Sequence, residues 1–195
     1  MWYSIVVLPL YGNVMSIINV LEEQLMKLNS KQYPDITYEE GEEIYLREGN
    51  SGLPFRFDVE DCLTEDEDVM NVIAHALDDM HTLKQKAKDY LKKSLADSES
   101  EDYDTISCFM EFHRDDIDSE LTEELFDGVE DPSELSFEDM VDYLEVCGVS
   151  GMMYYEEEEL PVIMMEFSFD PDITDELMVI YFDFDYQIIS VSHES

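Results

Sequence analysis

The sequence predicts an α+β fold: an antiparallel sheet with a C-terminal β-meander, packed by one long and two shorter helices. Three observations predict it. The last quarter of the chain alternates apolar runs with turn residues, the middle carries a long stripe at helical spacing, and 45% of the residues are hydrophobic and 12% aromatic, enough for a core. The 195 residues fit one domain, 1–195, or two subdomains, 1–100 and 101–195.

Residues 2–9 form an apolar, β-rich run that stops at Pro9, which suits a strand end. Tyr11-Gly12-Asn13 turns the chain. From Asn13, a plausible N-cap, apolar positions fall at Val14, Ile17, Ile18, Leu21, Leu25 and Leu28, with Lys27 and Asn29 as helix-end signals. Two short strands follow, at 43–48 and 54–59, joined by the Gly49-Asn50-Ser51-Gly52 turn. The clearest element is a helix over residues 65–96, about 45 Å long at ~1.5 Å per residue. Thr64 and Glu67 have capping-box spacing, and the stripe runs Val69, Val72, Ile73, Ala76, Leu77, Met80, Leu83, Ala87, Tyr90, Leu91 and Leu95. Acids open this segment and Lys84, Lys86, Lys88, Lys92 and Lys93 close it, which opposes the helix dipole at both ends.

After a polar connection, residues 103–113 alternate as a strand, and 114–135 read as an acidic loop with one helical turn around Thr122. Ser136 caps a short helix carrying Phe137, Met140, Val141 and Leu144, stopped by Gly148. Strands are expected at 151–157, 162–169, 176–183 and 187–192, with intervening turns that suit a meander. Met110-Glu111-Phe112 is echoed by Met165-Glu166-Phe167, and the echo extends over 110–127 and 165–183. A duplicated strand unit would explain it, although Thr122–Leu125 is polar where Met178–Tyr181 is apolar.

Fifty Asp and Glu stand against ten Lys and Arg, a formal net charge of −40. Such a chain offers no cationic surface for nucleic-acid phosphates or anionic membranes, so neither is expected as a direct partner. No apolar run approaches the ~18 residues of a membrane span. Cys62, Cys108 and Cys147, widely spaced in apolar contexts, read as buried free thiols of a cytoplasmic protein. Four Ala against 12 Met, 12 Tyr and 10 Phe argue against salt adaptation as the source of the acidity.

Motifs for chemistry are sparse, and no enzyme activity, cofactor or metal is expected. His75 and His81 lie on opposite sides of the expected helix, so they miss the spacing of a zinc pair. His113 with Asp115, Asp116 and Asp118 makes a metal cluster only if strand ends converge, and a metal-dependent hydrolase using Asp and Glu with His113 is the competing enzymatic reading. Residues 170–176 resemble a calcium loop but lack its sixth-position Gly and its twelfth-position Glu, where Tyr181 stands. Neither a Gly-x-Ser-x-Gly nucleophile elbow nor a glycine-rich phosphate loop occurs.

What remains is the charge, far above the magnitude of about 2–8 that keeps a small domain soluble. It gathers in three blocks. The first spans 60–68 and includes Glu65, Asp66, Glu67 and Asp68. The second begins with Asp115, Asp116 and Asp118, and the third is Glu156, Glu157, Glu158 and Glu159. Such blocks accelerate encounter with cationic proteins and repel anionic ones. The expected function is therefore non-enzymatic binding, and inhibition, of a basic protein partner in the manner of a toxin-immunity protein. The alternative within this class is a DNA mimic that inhibits a nucleic-acid-binding protein.

The C-terminal third, from Phe137-Glu138-Asp139-Met140 through Asp172-Ile173-Thr174-Asp175-Glu176-Leu177 and Tyr181-Phe182-Asp183 to His193-Glu194-Ser195, resembles a family of small acidic bacterial proteins known as domain of unknown function 2004. Asp185-Tyr186 stands where that pattern is better served by Asp-Gly. The resemblance implies a bacterial, cytoplasmic α+β protein and supplies no catalytic residue.

Overall fold

A computed structural model describes residues 25–126, 129, 131–154 and 160–195. The expected strand at 2–9 and the helix from Asn13 to residue 24 lie outside the described residues. The α+β class holds. A six-stranded sheet runs in the order β3 (Ile44–Leu46), β4 (Arg56–Val59), β5 (Glu145–Tyr154), β6 (Leu160–Ser168), β7 (Leu177–Phe182) and β8 (Ile188–Glu194). A separate two-stranded ladder joins β1 (Met26–Lys27) to β2 (Thr37–Tyr38), so Lys27 ends no helix.

The C-terminal meander β5 to β8 is antiparallel, as the alternation predicts. Ile163, Met165 and Phe167 of β6 and Met178, Ile180 and Phe182 of β7 turn one way, into the main core with the helices. Val162, Val179 and Tyr181 turn the other way and form a small second cluster. The sheet is not wholly antiparallel, however. β4 pairs in parallel with β5, Val59 opposite Gly151. Parallel neighbours need a long crossover, and the chain between Val59 and Glu145 supplies one that is mainly helical.

The expected single helix over 65–96 is two, α2 (Glu67–Asp78) and α3 (Met80–Leu95), preceded by a short α1 (Asp61–Thr64). Asp78 causes the break between α2 and α3. Its carboxylate accepts from the Ser30 hydroxyl and the backbone N–H groups of Lys31 and Gln32, and its carbonyl accepts from Gln32 Nε2 at 2.6 Å. That carbonyl is thereby drawn out of the helical ladder, and the chain restarts with Thr82 and Leu83 bonded to the carbonyl of Asp79. The stripe survives the break: Ile73, Ala76, Leu77, Leu83, Ala87, Leu91 and Leu95 are all buried.

The capping box is replaced too. Thr64 belongs to α1, where its hydroxyl donates to the Asp61 carbonyl and accepts from Gly41 N–H. The N-cap of α2 is Asp66, whose carboxylate accepts from the N–H groups of Asp68 and Val69. Asp66→Ala should therefore cost about 1 kcal/mol in urea unfolding; no loss would mean that the cap is dispensable.

Residues 103–113 are not a strand. They form α4 (Tyr103–Glu111), continued by a π-helical turn, Phe112–Asp116. Ile106, Phe109, Met110 and His113 fall at i, i+3, i+4 and i+7 and are all fully buried. The apparent alternation gave way to this helical period. The duplication fails with it, because residues 110–116 are helical whereas 165–168 lie in β6. The acidic loop contains α5 (Ser119–Leu125), capped by Asp118. α6 (Phe137–Met140) has the expected Ser136 cap, with Asp139 N–H on its hydroxyl at 3.1 Å. Gly148 stops no helix but sits inside β5. Two of the three free cysteines, Cys62 and Cys108, are exposed rather than buried, and Cys147 is half-buried.

Candidate functional site

The strand pairing decides where the acidic blocks fall. Because β4 and β5 are parallel, Glu60, just past β4, arrives beside the end of β5, where its carboxylate accepts the Met153 N–H at 2.9 Å. At that end Tyr154 pairs with Leu160. Glu156, Glu157, Glu158 and Glu159 lie outside the described residues, but the residues flanking them leave and re-enter the sheet beside the 60–68 block.

The second block sits at the other end. α4 packs on β7 and β8, with the Phe109 ring stacked 5.5 Å from Phe169, just past the end of β6, and edge-on to His193 near the end of β8. Asp115, Asp116 and Asp118 follow α4 there. Among the described residues, therefore, the 60–68 block and the Asp115, Asp116 and Asp118 block make no single acidic face: they mark opposite ends of the sheet.

Their chemistry also differs. Asp66 and Asp118 serve as helix caps, and Asp115 holds Arg114 at 2.7 Å. Glu65, Glu67, Asp68 and Asp116 are exposed, and among the described residues no salt bridge reaches Glu65, Asp66, Glu67 or Asp68. Four lysines of α3 are engaged elsewhere. Lys84 pairs with Glu145 and Lys92 with Asp142, while Lys88 donates to the Asp142 carbonyl at 2.8 Å and Lys86 to the Tyr186 carbonyl at 2.6 Å. These lysines fasten α3 to Asp142 and the start of β5 and to the β7–β8 turn, in addition to any effect on the helix dipole.

His113 does not meet the aspartates. It is 0% exposed, enclosed by the rings of Phe109, Phe112 and Phe169 at centroid distances of 4.4, 5.1 and 4.8 Å. Its Nδ1 lies 2.8 Å from the Phe109 carbonyl, which fixes the proton there, and its Nε2 has no partner among the described residues. Burial pushes its pKa down, so the ring is held neutral. Among the described residues, no group of three or more His, Cys, Asp or Glu side chains is arranged to hold a metal.

Sequence reading missed a second polar centre, on the face of the sheet turned away from the helices. Glu166, only 6% exposed, accepts from Arg56 Nη2 at 2.5 Å, and Arg56 Nε donates to Asp58 at 3.1 Å. Burial raises the Glu166 pKa and outweighs the lowering by Arg56. Gly148 stands opposite on β5, where a Cβ would lie 2.0 Å from Glu166 Oε2. The available signal was one charged residue inside the otherwise apolar run Leu160–Ser168. Beside it, burial and the Glu166 charge lift the Cys147 thiol to about 11, which suppresses thiolate formation.

No helix of the described residues is long and apolar enough to cross a membrane. No protein-family model, curated protein or solved structure matches the chain.

Proposed function

We propose that this chain is a non-enzymatic acidic protein that binds, and thereby inhibits, a basic protein partner, acting in the cytoplasm. The supporting observation is the exposed cluster Glu65, Glu67 and Asp68 at the sheet end shared with Glu60, with no described cation bonded to it while Lys84, Lys86, Lys88 and Lys92 of α3 are engaged internally. Carboxylates left without counterions keep their field, and that field draws in a cationic surface and favours its close approach. A partner whose own cationic groove normally holds phosphates loses access to them while it is bound. The resemblance of the C-terminal third to an uncharacterised acidic family fits this reading and adds no residue to it.

The test is the triple reversal Glu65→Lys, Glu67→Lys, Asp68→Lys, which leaves the Asp66 cap in place. Affinity for a purified basic partner should fall by about 10- to 100-fold, mostly through a slower association rate, and its dependence on salt should flatten. Equal affinity and an equal salt slope in the variant would refute the assignment.

A further inference from the structure

α3 carries Lys84, Lys88 and Lys92 at i, i+4 and i+8, so the three side chains share one face of the helix. Their partners are unequal. Lys84 pairs with Glu145, and Lys92 pairs with Asp142 at 2.7 Å. Lys88, between them, is only 8% exposed and donates to the Asp142 backbone carbonyl at 2.8 Å; among the described residues no carboxylate bonds to it. A buried ammonium without a bonded carboxylate is costly, and a like charge one turn away on either side adds to the cost. Burial first, then the Lys84 charge, pushes the Lys88 pKa down from its ordinary 10.5, and Lys92 acts the same way. Glu145 and Asp142 offset only part of this.

Lys88 therefore keeps a larger neutral fraction than a solvated lysine, and a neutral amine is a nucleophile. Its surroundings select the electrophile. At a net charge of −40 the molecule repels anionic acyl donors. A side chain 8% exposed admits no bulky carbonyl compound. Carbon dioxide is small and uncharged, and its adduct is an anion held one turn from each of two ammonium groups. The like-charge repulsion along this face then becomes attraction on both sides.

We propose that Lys88 takes up carbon dioxide reversibly as a carbamate, held between Lys84 and Lys92. The Nζ lone pair attacks the carbon and forms the C–N bond. One C=O electron pair moves onto oxygen, and an Nζ proton leaves to water. The product keeps one Nζ–H, which still donates to the Asp142 carbonyl. Its two oxygens accept from Lys84 and Lys92, whose side chains, 27% and 35% exposed, border the solvent. Glu145 and Asp142, 69% and 63% exposed, turn outward into water as they give up these lysines.

The test equilibrates the full-length native protein with isotopically labelled carbon dioxide and bicarbonate at mildly alkaline pH. Carbon NMR should show a carbamate resonance. Trapping with a trialkyloxonium salt, followed by peptide mass spectrometry, should place the adduct on Lys88 at several-fold higher occupancy than on exposed Lys93. Lys88→Arg keeps a cation at this position and should remove the Lys88 adduct with its share of the resonance. Lys84→Met and Lys92→Met should each lower occupancy at Lys88 several-fold, because each removes one ammonium that flanks the product. Absence of any adduct from native Lys88 at saturating carbon dioxide would overturn the proposal. So would occupancy at Lys88 no higher than at Lys93, or occupancy indifferent to both flanking substitutions. The site is mapped on the native protein, so misfolding of a variant leaves the first two readings intact.

Discussion

Arg56→Met is expected to destabilise the fold by about 2–3 kcal/mol at neutral pH, the consequence of leaving a buried carboxylate unpaired. Glu166 is 6% exposed, and Arg56 is its only cationic partner among the described residues. The figure is set below that for a fully buried pair because the Arg56 side chain is 40% exposed and water can reach the gap. Gly148→Ala should produce a comparable loss by a different route, since the new Cβ occupies the position of the Glu166 carboxylate and pushes it from Arg56. The double variant Arg56→Met, Glu166→Leu should recover most of the loss, because no buried charge remains.

The pH dependence has a definite sign. The folded-state pKa of Glu166 is already above its ordinary value, and removing Arg56 raises it further. A raised carboxyl favours the fold at low pH and loses that favour as pH rises through the folded pKa. The deficit of Arg56→Met against the native protein should therefore shrink from pH 7 to pH 5. Urea unfolding at both values measures it. A deficit that stays constant or grows on acidification would show that Glu166 is not the group responsible.

The second large effect is an acid-side loss of stability from His113. Its folded pKa lies below the ordinary value of 6.5 because the ring is desolvated. The unfolded chain consequently binds a proton first as pH falls. The stability this residue contributes is complete above 6.5 and declines below it, by up to about 1.4 kcal/mol per pH unit, until the folded pKa is reached. The charged groups that bear on the ring are Glu176, which eases protonation, and His193, which opposes it. These two are joined by a hydrogen bond at 2.5 Å. His113→Phe keeps the aromatic packing, removes the unpartnered Nε2 and should abolish this limb. The difference between the two stability curves isolates the effect from the titration of the many carboxylates. A flat difference from pH 7 to pH 5 would be the contrary result.

The C-terminal meander was legible in the sequence because period-2 alternation shows directly which side chains enter a core, and β6 to β8 obey it within two residues at each end. The stripe in α2 and α3 was legible for the same reason. Where two periods coexisted, as in residues 103–113, the sequence alone did not arbitrate. Packing against β7, β8 and Phe169 made the helical face of Ile106, Phe109, Met110 and His113 the buried one. The interruption at Asp78 was invisible because its cause, the turn at Ser30–Gln32, lies far away in the chain. Glu166 was overlooked for a related reason: its partner, Arg56, becomes a neighbour only through β4 and β5.

By itself, then, the sequence determined the α+β class, the meander, and the strongly negative character of the molecule, since composition and local periodicity need no distant partner. Only the tertiary structure decided that β5 lies parallel to β4, and with it the grouping of the charge. That single pairing carries the 60–68 block beside the end of β5 and leaves Asp115, Asp116 and Asp118 at the other end of the sheet. Strand order is a long-range choice, governed by which apolar faces can be buried together, and no local pattern of carboxylates encodes it.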